Sequence, residues 1–309
     1  MEEKNYDVVV LGGGAAGMTA GIYLGRSKVR TVVLDTATIG GQMVLTYEIA
    51  NYPGVALTTG YQLSSIMKKQ AKSFGCDIKA NVKVTALDLE GEEKSITIGD
   101  KVVYKAPAII LATGGRSRML NVPGEKEFKG RGISYCATCD GDFFQDKEII
   151  VVGGGNSALE EAVALTKYAS KVTILHEFDH FQAFEHAVEE AKANPKIDFI
   201  MSSHIIEFSG DESLRKVRYK NLETGDQFEK AIDGVFIFIG YEANTEALRN
   251  SGIELNEWNE IVASEKMETN ISGVFTAGDC RAKQYRQITT AVSDGTIAAL
   301  NAIAYINGK

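Results

Sequence analysis

The chain is 309 residues long, 44% hydrophobic and 24% charged, with a formal net charge of −8 at pH 7. That length predicts two domains with sizeable cores, and the acidic balance argues against nucleic acid or an anionic membrane as the main partner. No apolar run approaches the ~18 residues of a membrane span, and the opening Met1-Glu2-Glu3-Lys4-Asn5-Tyr6-Asp7 is too polar for an export signal, so a cytoplasmic location is expected.

The first elements in chain order form a nucleotide-type unit. Asp7-Val8-Val9-Val10-Leu11 is nearly all apolar, as a strand buried on both faces must be. Gly12-Gly13-Gly14-Ala15-Ala16-Gly17 follows and matches G-x-G-x-x-G, then a helical stretch runs to about Ser27. The strand Thr31-Val32-Val33-Leu34 ends at Asp35, 18 residues after Gly17. Glycines Gly12, Gly14 and Gly17 allow a tight turn and close backbone approach. A pyrophosphate can then sit on the helix N-terminus over Ala15 and Ala16, with Asp35 placed to accept from a ribose hydroxyl.

Further along, Ala108-Ile109-Ile110-Leu111-Ala112-Thr113-Gly114 reads as an apolar strand ending in a small-residue turn. Cys136-Ala137-Thr138-Cys139-Asp140 comes next. The strand Glu148-Ile149-Ile150-Val151-Val152 then leads into Gly153-Gly154-Gly155-Asn156-Ser157-Ala158, a G-x-G-x-x-A turn. A helical stretch to Ala169 and the strand Val172-Thr173-Ile174-Leu175 complete a second unit at His176-Glu177. From first glycine to final acid the two units span 24 and 25 residues, which marks an internal duplication. Strands at 235–240 and 273–279 and a closing helix from Gln287 to about Ile306 follow. The predicted fold is α/β, two Rossmann-like domains of the FAD/NAD-linked reductase type with the second inserted into the first. Residues 1–115 and 244–309 form one domain and residues 116–243 the other.

Four cysteines are too few and too scattered for an extracellular disulfide framework. Cys76 and Cys280 stand alone and read as core residues, whereas Cys136 and Cys139 form Cys-x-x-Cys, either catalytic or metal-binding in a cytosolic chain. Structural zinc wants four Cys or His ligands, usually as a second paired knuckle, and none is visible, so no metal is expected. His176, His180 and His186 read as surface or pocket-lining histidines. Thiol–disulfide exchange requires a thiolate, favoured in Cys-x-x-Cys near a helix start, and Asp140 supplies a carboxyl group close enough to exchange protons with a departing thiol.

In their order and spacing these motifs resemble the low-molecular-weight thioredoxin reductases over the full length. The resemblance rests on Gly12 to Gly17, Gly40-Gly41-Gln42-Met43, Asn51-Tyr52-Pro53-Gly54, Ala112-Thr113-Gly114, Cys136 to Gly141, Gly153 to Ala158, Gly278-Asp279 and Arg286-Gln287. It implies FAD on the first domain, a homodimer, and the dithiol on the inserted domain. Around the FAD it places Gly40, Gly41, Gln42, Asn51, Val84, Thr113, Gly114, Gly278, Asp279, Arg286 and Gln287, beside the glycine turn and Asp35. It also implies that Cys139 is the sulfur next to the flavin, Cys136 the sulfur that attacks thioredoxin, and Asp140 the proton-relay acid.

The chain departs from the family in one place. NADPH-using members carry His-Arg-Arg-x-x-x-Arg after the second unit, and its arginines clamp the 2′-phosphate. Here the stretch reads His176-Glu177-Phe178-Asp179-His180-Phe181-Gln182, and no Lys or Arg occurs from Val172 to Ala191. This argues against NADPH. Glu177, 19 residues beyond Ala158, keeps NADH open as donor. Phe178, Phe181 and Phe184 either fill a disused nucleotide cleft or are ordinary core aromatics. Some relatives without the arginines resemble a ferredoxin-linked, pyridine-nucleotide-independent branch, and ferredoxin is the expected donor. An acidic ferredoxin then needs a local basic patch, for which Arg26, Lys28 and Arg30, or Arg116 and Arg118, are candidates.

Two rivals share the scaffold: a flavin dithiol oxidase passing electrons to oxygen, and a non-enzymatic flavin redox sensor. If Cys139 touches the flavin, thioredoxin access requires the inserted domain to swing, with hinges expected near Gly114-Gly115 and Gly240 to Asn244.

Overall fold

A computed structural model describes residues 1–46 and 49–308. The chain divides into two compact units, Met1–Arg116 with Glu242–Lys309, and Ser117–Tyr241. It crosses between them twice.

The first unit opens with β1 (Glu2–Asn5), β2 (Val8–Leu11), α1 (Ala15–Arg26) and β3 (Thr31–Leu34). It continues through α2 (Gly60–Ser73), β4 (Asp77–Lys79), β5 (Val84–Asp88), β6 (Lys94–Ile98), β7 (Val102–Ala106) and β8 (Ala108–Leu111). The strand β9 (Gly115–Ser117) leads out. The second unit holds α3 (Glu125–Phe128), β10 (Ile133–Ser134), α4 (Ala137–Asp140), β11 (Glu148–Val152), α5 (Asn156–Leu165) and β12 (Lys171–Leu175). It is completed by α6 (Glu185–Ala193), β13 (Ile197–Ile200), β14 (Ser203–Gly210), β15 (Leu214–Asn221), β16 (Gln227–Ala231) and β17 (Gly234–Ile237). The chain returns along β18 (Tyr241–Ala243), which pairs with β9, and ends with β19 (Val274–Thr276) and α7 (Ile288–Asn307).

Each unit is built on a five-stranded sheet, in the orders β19-β8-β2-β3-β4 and β10-β17-β11-β12-β13. Every pairing in both is parallel. Parallel sheets are covered on both faces, so their strands must be apolar throughout, and Val8, Val9 and Val10 are fully buried, as are Ile149, Ile150 and Val151. The duplication reaches the loops. Gly12 N–H donates to Leu34 O at 2.7 Å, and Gly153 N–H donates to Leu175 O at 3.1 Å. The first unit adds a four-stranded sheet, β1-β7-β6-β5, and the second a three-stranded antiparallel sheet, β14-β15-β16.

On one side of the first sheet α1 packs against α7 and α2. The approach of α7 depends on Gly295, where a Cβ would lie 2.2 Å from Ala16 O. In open parallel sheets ligands bind beyond the C-terminal strand ends, and both glycine-rich turns lie at those ends.

Candidate active site

In the first unit the expected cofactor residues converge on the turn between β2 and α1. Gly12 has φ of +115°, and a Cβ there would lie 2.0 Å from Ala112 O, so the turn closes against the end of β8 next to Thr113 and Gly114. Gly40 N–H donates to Gly13 O at 2.8 Å, which brings Gly41 and Gln42 alongside. Gly278 abuts the first turn of α1, with an added Cβ 2.9 Å from Ala16 Cβ. Asn51 Nδ2 donates to Gln287 Oε1 at 3.5 Å across 236 residues of sequence. Val84 stands apart at the head of β5, although Val82 N–H, two residues earlier, donates to Asp35 O at 3.0 Å.

Asp35 is more committed than its spacing suggests. Oδ2 accepts from Gly13 N–H at 2.6 Å and Oδ1 from Ala37 N–H at 2.7 Å. Each carboxylate oxygen keeps a second lone pair, so a ribose hydroxyl can still donate to it. Burial pushes the Asp35 carboxyl above its usual range, and the two backbone donors oppose that rise.

This unit fits a bound dinucleotide. No side chain caps α1, so its first N–H groups are available to an anion, and the only neighbour a Cβ on Gly14 would meet is Gly41 Cα at 3.9 Å. Thr113 Oγ1 is buried and has no hydrogen-bond partner among the described residues.

Behind the expected contact residues lies an ion network that spacing alone did not reveal. Asp294 of α7, 4% exposed, accepts from Gly278 N–H (3.1 Å), from Arg281 Nε (3.0 Å) and Nη2 (3.2 Å), and from Lys283 Nζ (2.9 Å). Lys283 also pairs with Asp279 at 3.2 Å, and Arg286 pairs with the buried Glu260. Burial raises the Asp279 carboxyl, opposed by Lys283 and Arg286. The signal was present in the sequence, because Asp294 is the sole charged residue of α7.

The redox pair lies in the second unit. Cys136 and Cys139 form a disulfide across the single turn of α4, with Cα atoms 5.3 Å apart. One helical turn offers little macrodipole, so the helix start contributes less to thiolate stability than the sequence suggested. Asp140 closes the turn and donates its N–H to Cys136 O at 3.2 Å. Its carboxylate accepts from Ser134 Oγ at 2.5 Å, and Ser134 Oγ accepts in turn from Cys136 N–H at 3.1 Å. Burial raises the Asp140 carboxyl, the Ser134 hydrogen bond opposes this, and Asp142 adds to it. Nothing in the spacing of Ser134 announced that contact.

The second glycine turn is furnished differently from the first. His176 is buried, and a Cβ on Gly154 would lie 2.3 Å from its Nε2. That Nε2 has no hydrogen-bond partner among the described residues, and burial holds the imidazole below its usual range. Phe181 stacks on the ring at 5.9 Å and Phe178 meets it edge-on at 5.3 Å. Phe181 joins the core under α5, whereas Phe184 is 65% exposed. Glu177, Asp179, Glu185, Glu189 and Glu190 are all exposed. Among the described residues no group of three or more His, Cys, Asp or Glu is arranged to hold a metal, and no helix is long and apolar enough to cross a membrane.

Residues 6–295 match the family model described as pyridine nucleotide-disulphide oxidoreductase. The chain belongs to that family. Within it, the chain is 45% identical over 308 residues to the "34.2 kDa protein in rubredoxin operon" of Clostridium pasteurianum, covering 100% of this chain and 99% of that protein. It is 44% identical to a thioredoxin reductase of Peptoclostridium acidaminophilum, covering 99% of each. The crystal structure of thioredoxin reductase from Streptococcus pyogenes superposes with a TM-score of 0.94 at 38% identity, covering 99% of each chain. The resemblance to low-molecular-weight thioredoxin reductases therefore holds over the whole chain, and the protein is a flavin disulfide oxidoreductase of the thioredoxin reductase type. The family implies FAD, and the glycine turn, the uncapped α1 and the Gly278–Gln287 loop are the residues that would hold it.

Proposed function

We propose that this protein is a cytoplasmic, homodimeric FAD-dependent thioredoxin reductase that draws its electrons from ferredoxin rather than from NADPH. The first unit is the FAD-binding domain, and the inserted unit carries Cys136 and Cys139. The single observation that carries the reading is the redox site itself, a Cys136–Cys139 disulfide with the half-buried Asp140 tied to the Cys136 backbone through Ser134. Zinc binding does not need such an acid, and neither does a silent flavin module.

Bound FAD supplies an electron pair and delivers it to a disulfide. The protein's own residues do the rest. Two electrons break the Cys136–Cys139 bond, and one proton taken up from solvent leaves Cys139 as a thiol and Cys136 as a thiolate. Cys136 thiolate then attacks the disulfide of thioredoxin, forming a mixed disulfide and expelling one thioredoxin sulfur, which takes up a proton. Cys139 gives its proton to the Asp140 carboxylate and attacks Cys136 Sγ, restoring the internal disulfide and expelling the second thioredoxin sulfur, which takes up a proton from solvent. The low dipole support from α4 leaves burial and local hydrogen bonds as the levers on these sulfurs.

The donor assignment is supported by the second glycine turn. No Lys or Arg occurs from Val172 to Ala191, where five acids are exposed, and the residue in register with Asp35 is the buried His176, not Glu177. The clostridial relative named for a rubredoxin operon gives further support, since rubredoxin is, like ferredoxin, a one-electron iron carrier. Two of the candidate basic residues are poorly placed for ferredoxin. Arg116 is engaged by Glu242, Asn244 and Glu246 at 2.8–3.1 Å. Arg26 closes α1 at the end opposite the glycine turn, about 18 Å away along the helix axis. NADH remains the second reading because Glu177 is solvent-exposed beside the turn.

The test is thioredoxin reduction by the flavin-loaded protein with ferredoxin supplied as reductant. Wild type turns over, and Cys139→Ser does not. Turnover by Cys139→Ser at the wild-type rate would overturn the assignment, and rapid oxygen uptake with a small dithiol but no thioredoxin turnover would favour a dithiol oxidase.

A further inference from the structure

Ser134 ends β10 two residues before the first redox cysteine and is 5% exposed. Its Oγ lies 2.5 Å from Asp140 Oδ2, 3.1 Å from Cys136 N and 3.3 Å from Cys136 O. A hydroxyl has one proton to give. The short contact to the carboxylate is in the range of a charge-assisted O–H···O⁻ bond and takes that proton in preference to the longer contact with the carbonyl. A lone pair of the same oxygen receives the Cys136 N–H. One side chain thus joins the main chain of one redox cysteine to the acid that follows the other.

We propose that Ser134 is a positioning residue for thiol–disulfide exchange, fixing the Asp140 carboxyl against the redox pair and stabilising its anion after the proton has left. This rests on the reading of Asp140 as the proton carrier. In the step concerned, a bond forms between Cys136 Sγ and one sulfur of the external disulfide while the external S–S bond breaks. The electron pair departs on the leaving sulfur, and Asp140 gives its proton to that thiolate and becomes a carboxylate. Ser134 then donates to that carboxylate, so its loss makes Asp140 hold the proton more tightly.

Other ionisable groups near Asp140 must be kept apart in the test. The turn Gly141–Phe144 and α5 both pack on α4, and they contribute Asp142, Glu160 and Glu161, with the Tyr168 ring close to Gly141. Lys147 also reaches this turn, donating to Phe143 O at 3.1 Å with its ammonium 5.3 Å from the Phe144 ring centre.

The experiment is single-turnover reduction of thioredoxin disulfide by dithionite-reduced holoenzyme as a function of pH. Asp140 acts when protonated, so the wild-type rate falls as pH rises through its titration. Asp140→Asn removes that limb. Ser134→Ala moves it upward by about one pH unit, and Ser134→Thr returns it towards wild type. Ser134→Val, the same shape as threonine without the donor, shifts it as alanine does and covers the case in which the alanine variant does not fold. If Asp140→Asn keeps the limb, the relay reading fails and this proposal fails with it. If Asp140→Asn loses the limb but Ser134→Ala and Ser134→Val slow the reaction without moving it, the relay reading stands and the role of Ser134 is refuted.

Discussion

His176 stands in the second half of the chain where Asp35 stands in the first. Each follows the strand paired with the glycine-turn strand, 18 residues beyond the last small residue of the turn. Asp35 N–H donates to Lys79 O, and His176 N–H donates to Ile200 O, both at 2.9 Å. The first position presents a carboxylate to Gly13 N–H at 2.6 Å. The second presents an imidazole that covers Gly154, and an acceptor for a ribose hydroxyl has been replaced by a ring packed among phenylalanines.

A charge-restoring variant follows from that difference. The triple change Glu177→Arg, Phe178→Arg and Gln182→Arg supplies bidentate donors to a 2′-phosphate. Calorimetric affinity for 2′,5′-ADP should rise about tenfold or more over wild type, about 1.4 kcal/mol. No gain would mean that packing around His176, rather than charge, closes the site.

The four cysteines separate into two reactive and two inert ones. Cys280 is fully buried, and the thiol of buried Cys76 is pushed up to about 12, by burial first and then by Asp77. An acid whose folded pKa is raised contributes stability that is full below its unfolded value of about 8.5 and is lost as pH rises above it. Reduced, folded protein treated with iodoacetamide at pH 8 should therefore label at Cys136 and Cys139 alone, with Cys76 and Cys280 reacting only in denaturant. Mass spectrometry of the labelled peptides distinguishes the cases, and early labelling of Cys76 would contradict the burial argument.

Much of this was legible in the sequence because it depends on local pattern. The two βαβ units were found from apolar runs and glycine spacing, and the parallel sheets follow from strands buried on both faces. The redox pair was found because Cys-x-x-Cys carries its own spacing. Asp294 escaped notice because its partners, Arg281 and Lys283, lie across a loop whose path the sequence does not dictate. Ser134 escaped because a serine in a strand looks like any other until its hydroxyl is seen 2.5 Å from Asp140. Spacing favoured Glu177, but strand register brings His176 to the position and leaves Glu177 exposed.

Asp294 should be costly to remove. It is a buried anion facing Arg281 and Lys283, so Asp294→Ala strips Arg281 of its carboxylate and leaves Lys283 with Asp279 alone, and breaking a buried pair in this way typically costs about 3–5 kcal/mol. Urea denaturation of apo-protein should show the loss, and the variant should retain less FAD on purification because Gly278 loses its anchor. Unchanged stability would show that solvent replaces the network at no cost.

Gly12→Ala tests the flavin turn. The left-handed φ and the 2.0 Å approach to Ala112 O leave no room for a methyl group. The turn must open, at about 1–3 kcal/mol, and FAD affinity should fall while the Cys136–Cys139 disulfide still forms. Wild-type flavin content in this variant would contradict the assignment of the turn as the dinucleotide site.

The supply of electrons is tested most directly by anaerobic flavin absorbance with NADPH, NADH and reduced ferredoxin offered side by side. Bleaching by ferredoxin alone, followed by reduction of thioredoxin, is the predicted result. Rapid bleaching by NADPH would contradict it.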